Sequence, residues 1–232
     1  MKNTPFFIYI LLLLATCVNG QKVLFDHQFD GASDVLLSRT YEDKSGLPWL
    51  VGGMDGSNFM YADGRTNTRG GAMLACRFRT GYYELTATIV ENDTFLGIGF
   101  TSSDPLQGSY FIDSWGTFAL RSSGDFEFWE GPGATVINDG GNVVDDYDVN
   151  EARVGRLRLV LEWDDETNRG TVTGYFKPEG GAEYQVDLDD QTAGVNSNTI
   201  SPKDELTGVG LIFDGRTDGR YGAFQLSYLS RY

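Results

Sequence analysis

Apolar and polar side chains alternate along much of the chain after residue 20. Between residues 156 and 163 the apolar positions are every second one, namely Leu157, Leu159, Leu161 and Trp163. Successive side chains of a β-strand point to opposite faces, so this period places all four on one side. The pattern predicts a half-buried strand with its apolar face in the core.

A second segment, residues 81 to 89, has the same period. Its apolar side chains are Tyr83, Leu85, Ala87 and Ile89, and glutamate and threonine fill the positions between them. This alternation again predicts a strand with one face buried and one face in water.

Shorter apolar or aromatic runs predict further strands, and turn-forming residues separate most of them. The chain has 30 glycines, many in clusters with Asp, Asn, Pro or Ser that favour turns. About a dozen short antiparallel strands must stack or close to bury their apolar faces, and no long helical period interrupts them. The sequence therefore predicts an all-β fold, a two-sheet antiparallel jelly-roll sandwich. The additional predicted strands cover residues 23–29, 95–101, 109–112, 117–121, 126–129, 171–176, 183–188, 209–213 and 224–229.

The N-terminal 20 residues have the pattern of a secretory signal peptide. A lysine at position 2 precedes an apolar run over residues 6–15, and small residues lead to Gly20. The run has about half the roughly 20 residues that a membrane-spanning helix needs. We expect cleavage after Gly20, a secreted domain over residues 21–232, and no transmembrane segment. Residues 14–17 leave a second interpretation open, a bacterial lipoprotein anchored through Cys17.

The charge of the mature domain narrows the range of partners. Removal of Lys2 with the leader leaves 17 basic against 33 acidic residues, a net charge of −16. A chain with this field repels phosphate backbones, so nucleic acid is a poor partner. Cys76 then has no partner for a disulfide and lies in an apolar run, which predicts a buried, unreactive thiol. No sequence feature places His27, the one histidine, beside it.

Several segments together resemble the concanavalin A-like lectin/glucanase superfamily, and in particular LamG-like domains of bacterial secreted proteins. The resemblance spans nearly the whole mature chain and consists of a pattern of strands and glycines. It implies a jelly roll of two curved sheets, whose concave face holds a saccharide in many relatives. The segments that carry it are residues 25–31, 82–89, 95–100, 118–133 and 224–229.

Aromatic and polar residues cluster near the middle of the chain in a combination that suits a sugar. A flat ring covers the apolar face of a pyranose, while carboxylates and amides bind its hydroxyl groups. Large aromatic residues of a β-sandwich also serve as core, so both roles are open for the two tryptophans. The candidate carbohydrate-binding residues are Tyr110, Asp113, Trp115, Glu127 and Trp129.

A catalytic pattern of the glucanase relatives is absent from this sequence. Those relatives carry Glu-x-Asp-x-Glu on one strand, and retaining hydrolysis uses two carboxyl groups about 5 to 5.5 Å apart. In residues 125–130 the third position of such a triplet is Trp129, and residues 162–166 predict a turn from Asp164 onward. We therefore predict no catalytic residue and expect both strings to be surface charges.

Calcium is the ion to consider for an acidic extracellular β-domain. Residues 146–150 copy the start of an EF-hand loop, but Glu151 and Leu157 stand where glycine and the bidentate acid are needed. The superfamily resemblance implies a structural calcium near Asp26 and Asp30 as an open alternative.

Three functions remain open on the sequence alone. The leading hypothesis is a secreted, non-catalytic carbohydrate-binding or cell-surface module whose partner is an oligo- or polysaccharide. The second is a glycan hydrolase or lyase with unrecognised catalytic acids, and the third is a structural surface protein without a small ligand. An enzyme requires convergent titratable groups, whereas a binding module requires exposed rings and amides.

Overall fold

The computed structural model describes residues 21–53, 60–66, 69–93, 95–102, 114–131, 137–138, 153–186, 197–202, 204–214 and 219–229. These residues form fifteen strands and one 3-10 helix at Leu37–Arg39. The strands are β1 Lys22–Gln28, β2 Leu50–Gly53, β3 Arg65–Thr66, β4 Arg69–Ala75, β5 Gly81–Glu91, β6 Phe95–Thr101, β7 Ser114–Arg121, β8 Phe126–Trp129, β9 Ile137–Asn138, β10 Gly155–Asp164, β11 Arg169–Pro178, β12 Tyr184–Val186, β13 Asn198–Ile200, β14 Gly208–Asp214 and β15 Gly219–Leu229.

The strands form two antiparallel sheets, which confirms the predicted all-β, two-sheet jelly-roll sandwich. One sheet has the order β1-β15-β5-β10-β11-β12, with β13 paired to β11 and β3 paired to β15. The other has the order β2-β4-β14-β6-β7-β8-β9. Below they are called the eight-stranded and the seven-stranded sheet. Sequence neighbours often lie in different sheets, so the core is built from contacts distant in sequence.

The two predicted alternating strands lie side by side at the centre of the eight-stranded sheet. Leu159 of β10 pairs with Leu85 of β5, and both side chains are fully buried. The six other apolar side chains of the two predicted faces are also buried, so the predicted inward faces are confirmed. Because a register shift of one residue would expose the whole apolar set, the sequence pattern fixes this pairing.

A buried tyrosine links the two sheets across the core. Tyr221 of β15 has its hydroxyl within hydrogen-bonding distance of the backbone N–H and C=O of Gly97, at 2.9 and 2.8 Å. The same hydroxyl lies 2.8 Å from the carbonyl of Ile212, on the strand next to Gly97. The side chain is fully buried, so its hydroxyl needs these backbone partners.

Candidate functional site

The candidate site lies on the seven-stranded sheet, on the side that points away from the core. Strand pairing sets Gly97 of β6 opposite Ala119 of β7, and Ala119 opposite Glu127 of β8. The residues between them, such as Ile98 and Phe118, are buried in the core. Alternation therefore turns the following set to the opposite side of the sheet, where all but Arg121 and Trp129 are buried: Phe95, Gly97, Gly99, Thr117, Ala119, Arg121, Glu127 and Trp129. We call this surface the outward β6–β8 face.

Two glycines give this face a floor without side chains. A Cβ atom at Gly97 would lie 2.6 Å from the Cβ of Ala119, and one at Gly99 would lie 2.9 Å from Oγ1 of Thr117. Both distances are too short for a real contact, so larger residues do not fit against β7. Glycine at these two positions therefore lets β6 pack closely against β7, and both glycines are buried.

Two aromatic rings lie beside this floor. The centroids of Phe95 and Trp129 are 5.1 Å apart with an interplanar angle of 71°, an edge-to-face pair. The guanidinium carbon of Arg121 lies 5.9 Å from the centroid of the Phe95 ring. Trp129 is only partly buried, in contrast to the neighbouring core phenylalanines. Part of the Trp129 side chain is therefore exposed at this face.

A buried ion pair joins β7 and β8 next to the rings. Nε and Nη2 of Arg121 both contact Oε1 of Glu127. The hairpin turn places the pair, since Arg121 N–H donates to the carbonyl of Asp125 at 2.8 Å and Gly124 adopts φ +93°. Glu127 comes two residues after Asp125 and lies on the same face as Arg121. The Glu127 side chain is 2% exposed, whereas that of Arg121 is 49% exposed, so only the carboxylate side of the pair is buried. The expectation that the acids of residues 125–130 are surface charges is therefore wrong for Glu127, because strand alternation turns it under the guanidinium of Arg121.

Two buried oxygens of this face have no hydrogen-bond partner among the described residues. They are Oε2 of Glu127 and Oγ1 of Thr117. Thr117 is opposite Trp129, two pairs along the strands from Ala119 and Glu127, so the two oxygens belong to diagonal neighbours. A buried polar atom without a partner is costly, and in native proteins it commonly binds a water, an ion or a ligand. These two atoms are the chemical basis of the candidate site.

Burial raises the pKa of Glu127 above the ordinary glutamate value. The positive charge and hydrogen bonds of Arg121 oppose this effect, and the nearby carboxylate of Asp125 adds to it. A raised carboxyl pKa is typical of functional sites, although structural ion pairs also perturb pKa values.

The structure brings together only part of the predicted set. Glu127 and Trp129 share the outward face, whereas Trp115 packs against the core. Trp115 pairs with the core residue Phe100 after a β-bulge beside Gly116, whose φ is +56°. The Trp115 Nε1–H donates to Oγ of Ser102 at 3.2 Å. Two further predicted residues, Tyr110 and Asp113, lie outside the described residues together with the predicted strand 109–112.

Six residues of the face were not predicted from the sequence, among them the side chains of Phe95, Thr117 and Arg121. The signal for two of them was available, because Thr117 and Arg121 alternate with core positions in the predicted strand 117–121. The turn after Arg121 returns the chain toward Glu127, which could have suggested the ion pair. Phe95 belongs to a distant strand, so its role depends on sheet order.

Calcium at Asp26 and Asp30 stays a prediction. Asp26 lies on β1, and its Oδ1 is 3.4 Å from the side-chain amide of Gln28. In the part of the chain that the structure describes, no three acidic, histidine or cysteine side chains group as a metal site. The thiol of Cys76 is partly exposed, and burial raises its pKa to about 12. The prediction that this thiol is buried is therefore wrong, because Cys76 lies at the end of β4 and keeps part of its surface exposed, and its raised pKa keeps it in the weakly nucleophilic thiol form.

His27 lies in an aromatic pocket at the edge of the eight-stranded sheet. Its ring contacts Phe29 and Trp49, with centroids 4.7 and 5.3 Å away. Its Nδ1 lies 3.0 Å from Oδ2 of Asp43, and the residue is 5% exposed. Burial lowers the pKa of His27 below 6.5, and the nearby charges of Asp43, Glu42 and Asp30 offset only part of this effect.

We expect His27 to reduce the stability of the fold as the pH falls. A base whose pKa is lower in the folded state contributes stability above its unfolded pKa of 6.5, and this stability is lost as the pH falls through the folded value. The measurement is the free energy of unfolding in urea from pH 7.5 to pH 5, for the native sequence and for His27→Asn. The variant should show a smaller loss over this range.

Glu127→Gln is a control in which the pH dependence of the free energy of unfolding should change in the opposite direction. Because the folded pKa of Glu127 is raised, its contribution is complete below its ordinary value of 4.5 and is lost as the pH rises through the folded value. Removing it should lessen the loss of stability at rising pH. Identical pH profiles of the unfolding free energy for the native chain and His27→Asn would contradict this prediction. They would show that the pKa of the histidine is the same in the folded and unfolded states.

Comparisons with known proteins found similarity only among solved structures. No protein-family model and no curated protein matches this chain. Similar solved structures include arcelin-5, a lectin-like defense protein from Phaseolus vulgaris, with 12% identity and a TM-score of 0.41 over 91% of this chain and 99% of that one. A lectin from Bauhinia forficata in complex with GalNAc has 11% identity and a TM-score of 0.40, with coverage of 91% and 99%. The β-glucanase of Bacillus licheniformis has 14% identity and a TM-score of 0.38, with coverage of 90% and 99%.

The likeness to these structures concerns the fold alone. A separate finding bears on membranes: the described residues contain no helix long and apolar enough to span one.

Proposed function

We propose that this protein is a secreted, non-catalytic carbohydrate-binding module whose site is the outward β6–β8 face. The observation that carries the proposal is a pair of side chains with exposed surface at this face. The partly exposed ring of Trp129 and the half-exposed guanidinium of Arg121 both lie against the ring of Phe95. A ring surface can cover the apolar face of a pyranose, and guanidinium N–H groups can donate hydrogen bonds to its hydroxyl oxygens.

Affinity for a single saccharide should be modest. A site with one accessible ring and few polar groups gains little beyond the cost of association, so we expect dissociation constants of about 10 μM to 1 mM. Such values are useful when several modules, or several sites along a polymer, act together.

Trp129→Ala should abolish measurable saccharide binding without unfolding the protein. The change removes the accessible ring but leaves the ion pair of Arg121 and Glu127 in place. A glycan array followed by calorimetry on the best ligand measures the loss, and Trp129→Phe should retain part of the affinity. Tyr175→Ala is the matched aromatic control, since Tyr175 lies on β11 of the other sheet under Arg158, 3.7 Å from the guanidinium carbon.

Trp115→Ala tests which tryptophan belongs to the site. Because Trp115 packs against the core, its loss should lower the melting temperature while the folded protein keeps its affinity. Loss of binding in folded Trp115→Ala, with binding intact in Trp129→Ala, would contradict the proposed site.

A glycan hydrolase is the second candidate, and one observation favours it. The pKa of Glu127 is raised, as for a general acid, and Asp125 is close enough to contribute to that shift. Incubation with the best-bound polysaccharide and assay of new reducing ends separates the two functions. Cleavage by the native protein that disappears in Glu127→Gln would replace the binding-module proposal with the hydrolase.

A further inference from the structure

We propose that Glu127 is a positioning residue of the outward β6–β8 face, which does not touch the ligand but fixes the guanidinium of Arg121, so that saccharide binding depends on the ionisation of Glu127. This role rests on the proposed carbohydrate-binding function and adds its regulation by pH. The two residues divide burial and exposure between them, and that division is the basis of the proposal.

The guanidinium of Arg121 is held along one edge and exposed to water elsewhere. Its Nε and Nη2 both contact Oε1 of Glu127. These two nitrogens share one edge of the planar group, so the end that carries Nη1 does not face the carboxylate. The Arg121 side chain is 49% exposed, whereas that of Glu127 is 2% exposed. A ligand can therefore reach Arg121 while Glu127 stays covered.

The clamp on Arg121 lowers the entropy cost of binding. A free arginine side chain has several rotatable bonds, and a ligand that immobilises it must offset the lost freedom. Glu127 and the ring of Phe95 already restrain the guanidinium, whose carbon lies 5.9 Å from the ring centroid. The partly exposed ring of Trp129 packs against the same Phe95 ring, at 5.1 Å between centroids. Both ligand-contacting groups are therefore preorganised.

The surroundings of Glu127 make its charge sensitive to pH. Burial raises the pKa of Glu127 above 4.5, the charge and hydrogen bonds of Arg121 oppose this effect, and the carboxylate of Asp125 adds to it. Among the described residues these two are the charged groups near the carboxyl, since Asn138, opposite Glu127 on β9, is neutral. Glu127 therefore loses its charge as the pH falls through the raised folded value.

Protonation of Glu127 should weaken saccharide binding. A neutral carboxyl group accepts a weaker hydrogen bond from a guanidinium than a carboxylate does. Arg121 is then less restrained, and the ligand must order it on binding. The cost of immobilising one long side chain corresponds to a loss of affinity of about three- to tenfold.

The experiment measures dissociation constants by calorimetry from pH 8 to pH 4, with neutral cello-, laminari-, xylo- and galacto-oligosaccharides as probes. These probes have no titratable group in this range, so any pH dependence belongs to the protein. Circular dichroism at each pH restricts the comparison to the folded state. We expect the native chain to lose affinity about three- to tenfold, with a midpoint above 4.5.

Three variants test whether the titrating group is Glu127. Glu127→Gln keeps the shape but cannot ionise, so it should bind at pH 8 as weakly as the native chain at low pH and show no pH dependence. Asp125→Asn removes the nearby charge that raises the pKa of Glu127 and should move the midpoint to lower pH. Glu166→Gln removes a charge from an exposed turn of the other sheet and should leave the profile unchanged.

A double replacement tests whether Glu127 acts through Arg121. The Arg121→Gln background has no guanidinium to hold, so adding Glu127→Gln should leave the dissociation constant unchanged. If Arg121→Gln does not fold, Arg121→Lys replaces it as the background. Lysine keeps the charge but lacks the two-nitrogen edge, so Glu127→Gln should cost less there than in the native chain.

Four outcomes would overturn the inference. A constant affinity of the folded native chain, or an equal loss at low pH in Glu127→Gln, would show that Glu127 does not control binding, while the carbohydrate-binding function stays intact. A further loss when Glu127→Gln is added to Arg121→Gln would mean that Glu127 contacts the ligand directly. Absence of binding to every probe at pH 8 would refute the proposed function itself, and this inference with it.

Discussion

Replacement of Leu159 by alanine is expected to lower the free energy of unfolding by about 2 to 5 kcal/mol. Leu159 is fully buried on β10, between Leu85 of β5 and Gly174 of β11. Because strands cover it on both sides and the second sheet covers its face, the site cannot collapse around the cavity. Urea unfolding followed by tryptophan fluorescence gives the change directly.

Val160→Ala is the matched control on the same strand. Val160 points to the outer side of the eight-stranded sheet and is only partly buried, between Glu84 and Thr173. Its truncation should cost less than about 1 kcal/mol. A cost at Val160 equal to that at Leu159 would mean that the two faces of β10 are assigned the wrong way round.

Glu42→Ala is expected to lower the free energy of unfolding by about 2 to 4 kcal/mol, an effect as large as that of Leu159→Ala. Glu42 makes no ion pair in the described structure, so the effect comes from its hydrogen bonds. Its buried carboxylate accepts the backbone N–H groups of Asp26 and Ser45, and that of Lys44 at 3.1 Å. Each hydrogen bond to a charged group contributes about 1.5 to 3 kcal/mol, and removal of the acceptor orphans all three donors. Thermal and urea unfolding report the loss.

The carboxylate of Glu42 also covers the free edge of the eight-stranded sheet. It holds the N–H of Asp26 on the edge strand β1, and the neighbouring Asp43 accepts the N–H of Gln28 at 2.9 Å. An uncovered edge invites pairing with another chain. Glu42→Gln, which keeps one acceptor oxygen, should cost less than Glu42→Ala. Equal stability of Glu42→Ala and the native protein would show that water replaces the carboxylate fully.

The strands with clear alternation could be predicted from the sequence, whereas β4, which has no alternation, could not. The predicted strand 95–101 coincides with β6, whereas β4 was not predicted. The sequence of β4, RGGAMLA, has weak strand propensity and no alternation, since its glycines and small residues occupy both faces. It is a strand because β2 and β14 pair with it on either side.

The candidate site shows the same division. Glu127 and Trp129 were predicted because they stand two residues apart on one short strand, and local alternation is visible in sequence. The roles of Phe95 and the two floor glycines were not visible, because they depend on β6 lying next to β7. The inward position of Trp115 depends on a β-bulge beside Gly116. Without this bulge, Trp115 and Thr117 would lie on the same side of the sheet.

The sequence by itself determined the all-β class, the inward faces of β5 and β10, and the acidic character of the domain. These properties follow from residue type and a period of two, which act locally along each strand. Only the tertiary structure decided that Arg121 neutralises one oxygen of Glu127 and leaves the other without a described partner. It also decided that Gly97 and Gly99 of β6 lie beside Ala119 and Thr117 of β7. Those relations depend on strand order and register, which are set by packing of the whole sandwich rather than by any one segment.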